Sequence, residues 1–198
     1  MRALDEALFR WINGWPEALS PVLYFLSEGN KMASVRIVAV GLLVLCLALG
    51  GRYRVAAILA VAAALVANET CDTLKSVFQM RRPNVELADV AIRAKDLQSF
   101  GTASSHAANT AAAALVFFRF ARPVGIVLFF VSFGAGISRA YVGVHYPTQI
   151  VLGWFVGILV GLAASQAYFA IVRRRESRAE GQKDTQTPDE SGSEGAST

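Results

Sequence analysis

Apolar residues in this chain come in long runs, unlike the alternation of a half-buried strand or the one-sided stripe of a soluble helix. Five runs, at residues 35–49, 55–71, 107–120, 124–137 and 150–172, are almost free of charge, and a helix that is apolar all round must be covered by protein or lipid. A sixth stretch, 7–26, is interrupted by Arg10, Asn13, Gly14, Trp15 and Pro16. It reads as an interfacial entry segment that becomes helical near Pro16, and it starts too irregularly for a cleaved signal peptide. A bilayer core of ~30 Å takes about 20 helical residues, so the shorter runs need extra turns from their polar flanks. The pattern predicts an all-α, polytopic membrane protein: one bundle of about six transmembrane helices over residues 1–175. After Arg175 the chain turns to Ser, Thr, Gly, Glu, Asp and Gln. Such a segment buries too little apolar surface to offset its ordering entropy, so 176–198 is expected to be a disordered cytoplasmic tail.

Composition agrees with the pattern. The chain has 198 residues, 54% of them hydrophobic and 17% charged, with a mean hydropathy of +0.42, whereas a soluble domain is about 25% charged. The net charge of +4 raises the question of a polyanion, but the basic residues are scattered between apolar runs, and no nucleic-acid partner is expected. Threading six spans with both termini on one side puts Arg2, Arg10, Arg52, Arg54, Arg119, Arg122 and Arg173, Arg174 and Arg175 together. The positive-inside rule makes that side the cytoplasm of a cell inner membrane. Cys46 and Cys71 lie in apolar runs and read as small buried hydrophobes. Trp11, Trp15, Tyr141, Tyr146 and Trp154 read as interfacial aromatics, with Tyr141 and Tyr146 near enough to the polar clusters to shape them. Arg81, Arg93 and Lys95 read as solvated or headgroup-facing charges, and Asn109 as a residue bonding backbone or a neighbouring helix.

Three polar clusters fall on the opposite, extracytoplasmic face, each at the end of an apolar run, where ionisable residues are costly unless functional. They are Lys75 with Arg82-Pro83; Ala103-Ser104-Ser105-His106 before a helix; and Ser138-Arg139 followed by His145. Lys75, Arg82 and Arg139 supply three cations, and guanidinium forks match phosphate oxygens. Ser104 and Ser105 stand at a helix start, whose free N–H groups also favour an anion. The set reads as a phosphate cradle. Two imidazoles beside a held phosphate can divide phosphoryl transfer, one attacking phosphorus and one protonating the departing oxygen. With cations neutralising the developing charge, no metal or other cofactor is called for. Asp72, one turn before Lys75, is placed to pair with it, and Glu69 shares that face.

These residues resemble the signature of the type 2 phosphatidic acid phosphatase superfamily of membrane lipid phosphatases, related in its site to vanadium haloperoxidases. Lys75, six residues and Arg82-Pro83 match its first motif fully; Ser104 and His106 match the second; Ser138-Arg139 and His145 match the third at the right spacing. The resemblance implies His145 as the nucleophile forming a phosphohistidine, and His106 as the donor to the leaving group and later the activator of water. It implies Lys75, Arg82, Ser104, Ser105 through its backbone, and Arg139 as ligands of the phosphoryl oxygens. Ala103 and Ser105 replace Pro and Gly of the motif, and Gln149 stands where the family has Asp. Removing that carboxylate resembles the Asp-to-Asn change in a Ser-His-Asp triad, which costs about four orders of magnitude; the Gln amide oxygen can still accept the His N–H. The resemblance implies an integral-membrane phosphatase of a lipid phosphate or diphosphate, such as a polyprenyl diphosphate, phosphatidylglycerophosphate or phosphatidic acid. The alternatives are a weakened lipid-phosphate-binding relative, on account of Gln149, and a lipid phosphotransferase. Residues 84–102, the candidate specificity loop, carry no headgroup motif.

Overall fold

The computed structural model describes residues 2–95 and 97–184, and the regular elements among them are helices. They are α1 (Arg2–Asn13), α2 (Ser20–Glu28), α3 (Ala33–Leu49), α4 (Gly51–Phe78), the single turn α5 (Pro83–Glu86), α6 (Ser105–Phe120), α7 (Arg122–Tyr141) and α8 (Pro147–Asp184). All five uninterrupted runs are helical and extend into their polar flanks. Those added turns carry Lys75 at the end of α4, Arg139 at the end of α7 and Gln149 at the start of α8.

The packing is built from small side chains. In lipid there is little hydrophobic drive between helices, so association rests on close backbone approach. On α4, Ala56, Ala60, Ala63, Ala67 and Cys71 are buried, and on α6 so are Ala108, Ala112 and Val116 in the same cluster. On α8, Gly153, Gly157 and Gly161 recur every four residues, facing the carbonyl oxygens of Ser104, Ala108 and Ala112; a Cβ there would lie 2.4, 2.2 and 2.8 Å from them. Between α3 and α4 the chain reverses through Gly50 and Gly51, with φ of +69° and +48°, values that only glycine adopts readily.

The expected first span is replaced by two short helices. α1 has 12 residues and α2 has 9, each well below the ~20 of a crossing, and the stretch around Gly14 and Pro16 separates them. α1 was not expected as a helix. It buries Phe9, Ile12 and Asn13 and lies on the end of the bundle that holds the polar clusters. Arg2 pairs with Glu86, Asp5 accepts from the Thr148 N–H at 2.9 Å, and the Asn13 amide donates to the carbonyls of Ala91 and Tyr141 at 3.0 and 2.9 Å. Arg2 and Arg10 therefore do not belong with Arg52, Arg54, Arg119 and Arg122, and α1 is on the face of the clusters. The charge-counting assumed that α1 leads into a crossing, which it does not.

The count of six spans is not reproduced among the described residues. The region Gly51–Glu86, the helix Arg122–Tyr141 and the first 34 residues of α8 have the length and apolarity of a crossing, and α2 with α3, bent by 68°, counts as a fourth when the bent pair is taken as one span. α6 is only 16 residues long and alanine-rich, and it packs through small side chains against α4, α7 and α8. α8 continues past Arg175 to Asp184, into the segment expected as tail; Glu, Arg, Ala and Gln there are good helix formers. Residues 185–198 lie outside the described residues.

Candidate active site

The end of α4, the start of α6, the end of α7 and the link into α8 bring the three clusters together. Gln79 ends α4 in a left-handed conformation (φ 47°), its N–H capping the Lys75 carbonyl at 3.1 Å. The chain then returns through residues 80–104 and is stitched down by Gly101 N–H to Met80 O at 2.8 Å and Ser104 N–H to Gln149 O at 2.9 Å.

His145 is buried, and both its ring nitrogens are engaged. Nδ1 lies 3.0 Å from Gln149 Oε1, and Nε2 lies 2.8 Å from Arg82 Nη1. The Gln149 amide has one consistent orientation: its NH2 donates to the Arg81 carbonyl at 2.9 Å, and its oxygen also accepts the Tyr146 N–H at 3.3 Å. The oxygen facing His145 therefore accepts Nδ1–H and leaves a lone pair on Nε2. Burial first, then the Arg82 and Arg139 guanidinium charges, hold the imidazole well below its ordinary pKa of 6.5, so it is neutral.

Arg82 is itself fixed from several sides. Nε donates to Ser99 O at 2.7 Å, Nη2 to Phe100 O at 3.1 Å, and Nη1 to Val144 O at 3.0 Å. Gly101 is needed for this close fit, since a Cβ there would come 2.7 Å from Arg82 Cγ and 2.8 Å from Gln149 Oε1. Lys75 donates to Ser105 Oγ at 2.7 Å and to Asp72 at 2.8 Å, the pairing its spacing predicts. Ser104 is the residue before α6, and Ser105 is its first. Ser104 is buried, with an Oγ that has no partner, and the buried Nε of Arg139 has none either. Buried polar groups are rarely left unpaired, and two such groups among cations fit the oxygens of a bound phosphate. Among the described residues no three His, Cys, Asp or Glu side chains converge as a metal-ligand set.

His106 stands in the first turn of α6, partly exposed, with the Asn30 amide 3.5 Å from its Nε2. Arg139 donates through Nη1 to Glu28 at 2.8 Å and to both oxygens of Ser27. Ser27, Glu28 and Asn30, with Ser99 and Gly101, were not singled out from the sequence. The available signal was Glu28, a carboxylate abutting an apolar stretch.

Other expectations need correction. Arg93 is not a solvated charge: it donates to the carbonyls of Asn13 and Tyr141 at 2.8 and 2.9 Å, pairs with Glu17, and lies over the Tyr141 ring at 4.3 Å. Tyr141 is buried, Tyr146 donates to Glu86 at 2.9 Å, and Trp154 donates to Ser132 O at 3.2 Å. These three aromatics are packed against other parts of the bundle, whereas Trp11 is exposed. Asn109 Oδ1 is buried without a partner.

The family model described as the PAP2 superfamily matches residues 53–173, a stretch that contains all three clusters. The bacitracin transport permease protein BcrC of Bacillus licheniformis is 29% identical over 162 residues, covering 80% of this chain and 78% of that protein. The crystal structure of Aquifex aeolicus LpxE is similar with a TM-score of 0.70 at 24% identity, over 82% of this chain and 95% of that one. The first transmembrane PAP2-type phosphatidylglycerolphosphate phosphatase from Bacillus subtilis gives a TM-score of 0.66 at 21% identity, over 86% and 87% of the two chains.

Proposed function

This chain belongs to the PAP2 superfamily, and from that premise we propose that it is an integral-membrane phosphatase that removes phosphate from a lipid phosphate or diphosphate through a phosphohistidine, without a metal. The observation that carries the mechanism is the state of His145, neutral, with Nδ1–H on Gln149 and the Nε2 lone pair facing Arg82.

An arriving phosphoryl group offers its oxygens to Lys75, Arg82 and Arg139 and to the unpartnered Ser104 Oγ and Arg139 Nε. An oxygen that takes over the Arg82 Nη1–H frees the Nε2 lone pair for phosphorus. The N–P bond forms as the P–O bond to the lipid breaks, and His106 gives its proton to the departing oxygen. Charge spread over the equatorial oxygens is held by cations already in place. In the second half His106 takes a proton from water, the water oxygen attacks phosphorus, and the N–P bond breaks to return neutral His145 and inorganic phosphate.

Gln149 weakens this chemistry less than the triad analogy suggests. Much of the Asp-to-Asn loss in a triad comes from the wrong histidine tautomer. Here the NH2 of Gln149 is tied to Arg81 O, so the tautomer is kept and only the carboxylate charge is missing. That supports an active enzyme over a binding-only relative. Arg52, Arg54, Arg119 and Arg122 cluster at the helix ends away from the site, which supports a cytoplasmic far end and an extracytoplasmic site in the bacterial inner membrane.

The test is phosphate release from a panel of lipid phosphates in detergent with chelator, using wild type and His145→Ala. We expect release by wild type alone; equal background from both proteins overturns the enzyme reading. Loss of turnover on chelation rejects the metal-free route, and turnover only with an added lipid acceptor assigns a phosphotransferase.

A further inference from the structure

Between α2 and α3 the chain turns a corner at residues 27–31, Ser-Glu-Gly-Asn-Lys, and this corner lies against both Arg139 and His106. Glu28 is buried, a position a carboxylate holds only when paired. One of its oxygens accepts from Arg139 Nη1 at 2.8 Å, and the other takes the Lys31 ammonium. Ser27 adds its carbonyl and hydroxyl oxygens to the same Arg139 nitrogen. The guanidinium is thus gripped at Nη1, while its buried Nε keeps a free N–H. Because a guanidinium is planar and rigid, fixing one terminal nitrogen against three oxygens fixes the direction of the remaining N–H bonds. The Arg139 charge acts on Arg82, His106 and His145, and that of Glu28 on His106. The next residues of the corner put the Asn30 amide 3.5 Å from His106 Nε2.

Resting on the phosphatase reading, we propose that Glu28 is a positioning residue of this active site: by holding Nη1 of Arg139 it aims the Nε–H at a phosphoryl oxygen. The site then has a fourth component, contributed by the α2–α3 corner, in addition to the three sequence motifs. It supplies a buried carboxylate at the Arg139 and His106 side of the cradle, while the His145 side has only the neutral Gln149. A plain structural clamp between α2 and α7 would use the same ion pair but would not govern affinity for a phosphoryl group.

The experiment uses the full chain in detergent and orthovanadate, a five-coordinate mimic of the transferring phosphoryl group, with thermal unfolding measured in parallel. Glu28→Gln keeps the side-chain shape and removes the charge. We expect its affinity for orthovanadate to fall about 10- to 100-fold, and kcat to fall by a similar factor with KM changed by less than about threefold. Lys31→Ala leaves the grip on Arg139 intact and stays within about threefold of wild type in both measures. A folded Glu28→Gln protein that binds orthovanadate within twofold of wild type overturns the proposal and leaves Glu28 a structural clamp. If Glu28→Gln does not fold, Ser27→Ala, which removes one of the oxygens holding Nη1, is read by the same criterion. Vanadate binding needs no turnover, so a wild type that binds vanadate but hydrolyses no lipid phosphate defeats the function and leaves the test of Glu28 intact.

Discussion

His145 and His106 lie at the same end of the bundle but not in the same environment. The first is buried, with Nδ1 on Gln149, Nε2 on Arg82, and Arg82 in turn bound to three backbone carbonyls. The second is partly exposed at a helix start, with one long contact to Asn30. The difference matches the work assigned to each. A nucleophile must meet phosphorus in one geometry, and pre-organisation lowers its barrier. A proton donor must follow leaving groups of differing size, which a partly exposed ring with fewer fixed partners allows.

Four measurements break or sharpen this contrast, from the largest effect to the smallest. His145→Ala is expected to abolish turnover to the detergent background on every lipid phosphate and on p-nitrophenyl phosphate. His106→Ala is expected to cost about 10²- to 10⁴-fold on lipid substrates and much less on the p-nitrophenol burst from p-nitrophenyl phosphate, whose leaving group departs without a proton and before water is activated. Equal losses in lipid turnover and in the burst would show that the two histidines do not divide the reaction. Gly101→Ala is expected to lower kcat/KM about tenfold or more, because its Cβ meets Arg82 Cγ at 2.7 Å and Gln149 Oε1 at 2.8 Å and a small displacement of the nucleophile's supports is costly; unchanged activity would mean that the His145 side is not rigid.

The last measurement concerns pH. Burial and the two guanidinium groups depress the His145 pKa in the folded protein, while an unfolded chain titrates near 6.5. The stability tied to the neutral ring is therefore complete above about pH 6.5 and is lost as pH falls below it. Gln149→Asp adds a carboxylate that favours imidazolium. The acid limb of kcat/KM should move to higher pH in that variant, and its unfolding temperature should drop less than the wild type's between pH 7 and pH 5. Identical profiles would show that Gln149 does not set the charge of His145.

Legibility in the sequence followed the range of the interaction. The five long runs located α3, α4, α6, α7 and α8 because lipid imposes continuous apolarity on a helix whatever its neighbours. Lys75 and Asp72 were readable as a pair because they are one turn apart on one helix. α1 was missed because its two short faces, Phe9 and Ile12 inward and Leu4, Leu8 and Trp11 outward, do not make a span, and the placement of Arg2 and Arg10 failed with it. Arg93 was read as a solvated or headgroup-facing charge and Tyr141 as an interfacial aromatic because nothing local records that they stack on each other across 48 residues of chain.

The sequence by itself determined the helical, membrane-spanning class, and placed Lys75, Arg82, Ser104, Ser105, His106, Arg139, His145 and Gln149 near helix ends. Composition and spacing along one helix are enough for that. Only the tertiary structure decided which way the Gln149 amide points, that Glu28 and Asn30 lie against Arg139 and His106, and that Ser104 Oγ and Arg139 Nε are buried without a partner. Those outcomes depend on which groups distant in sequence share a buried space, and each buried polar atom must find its partner there.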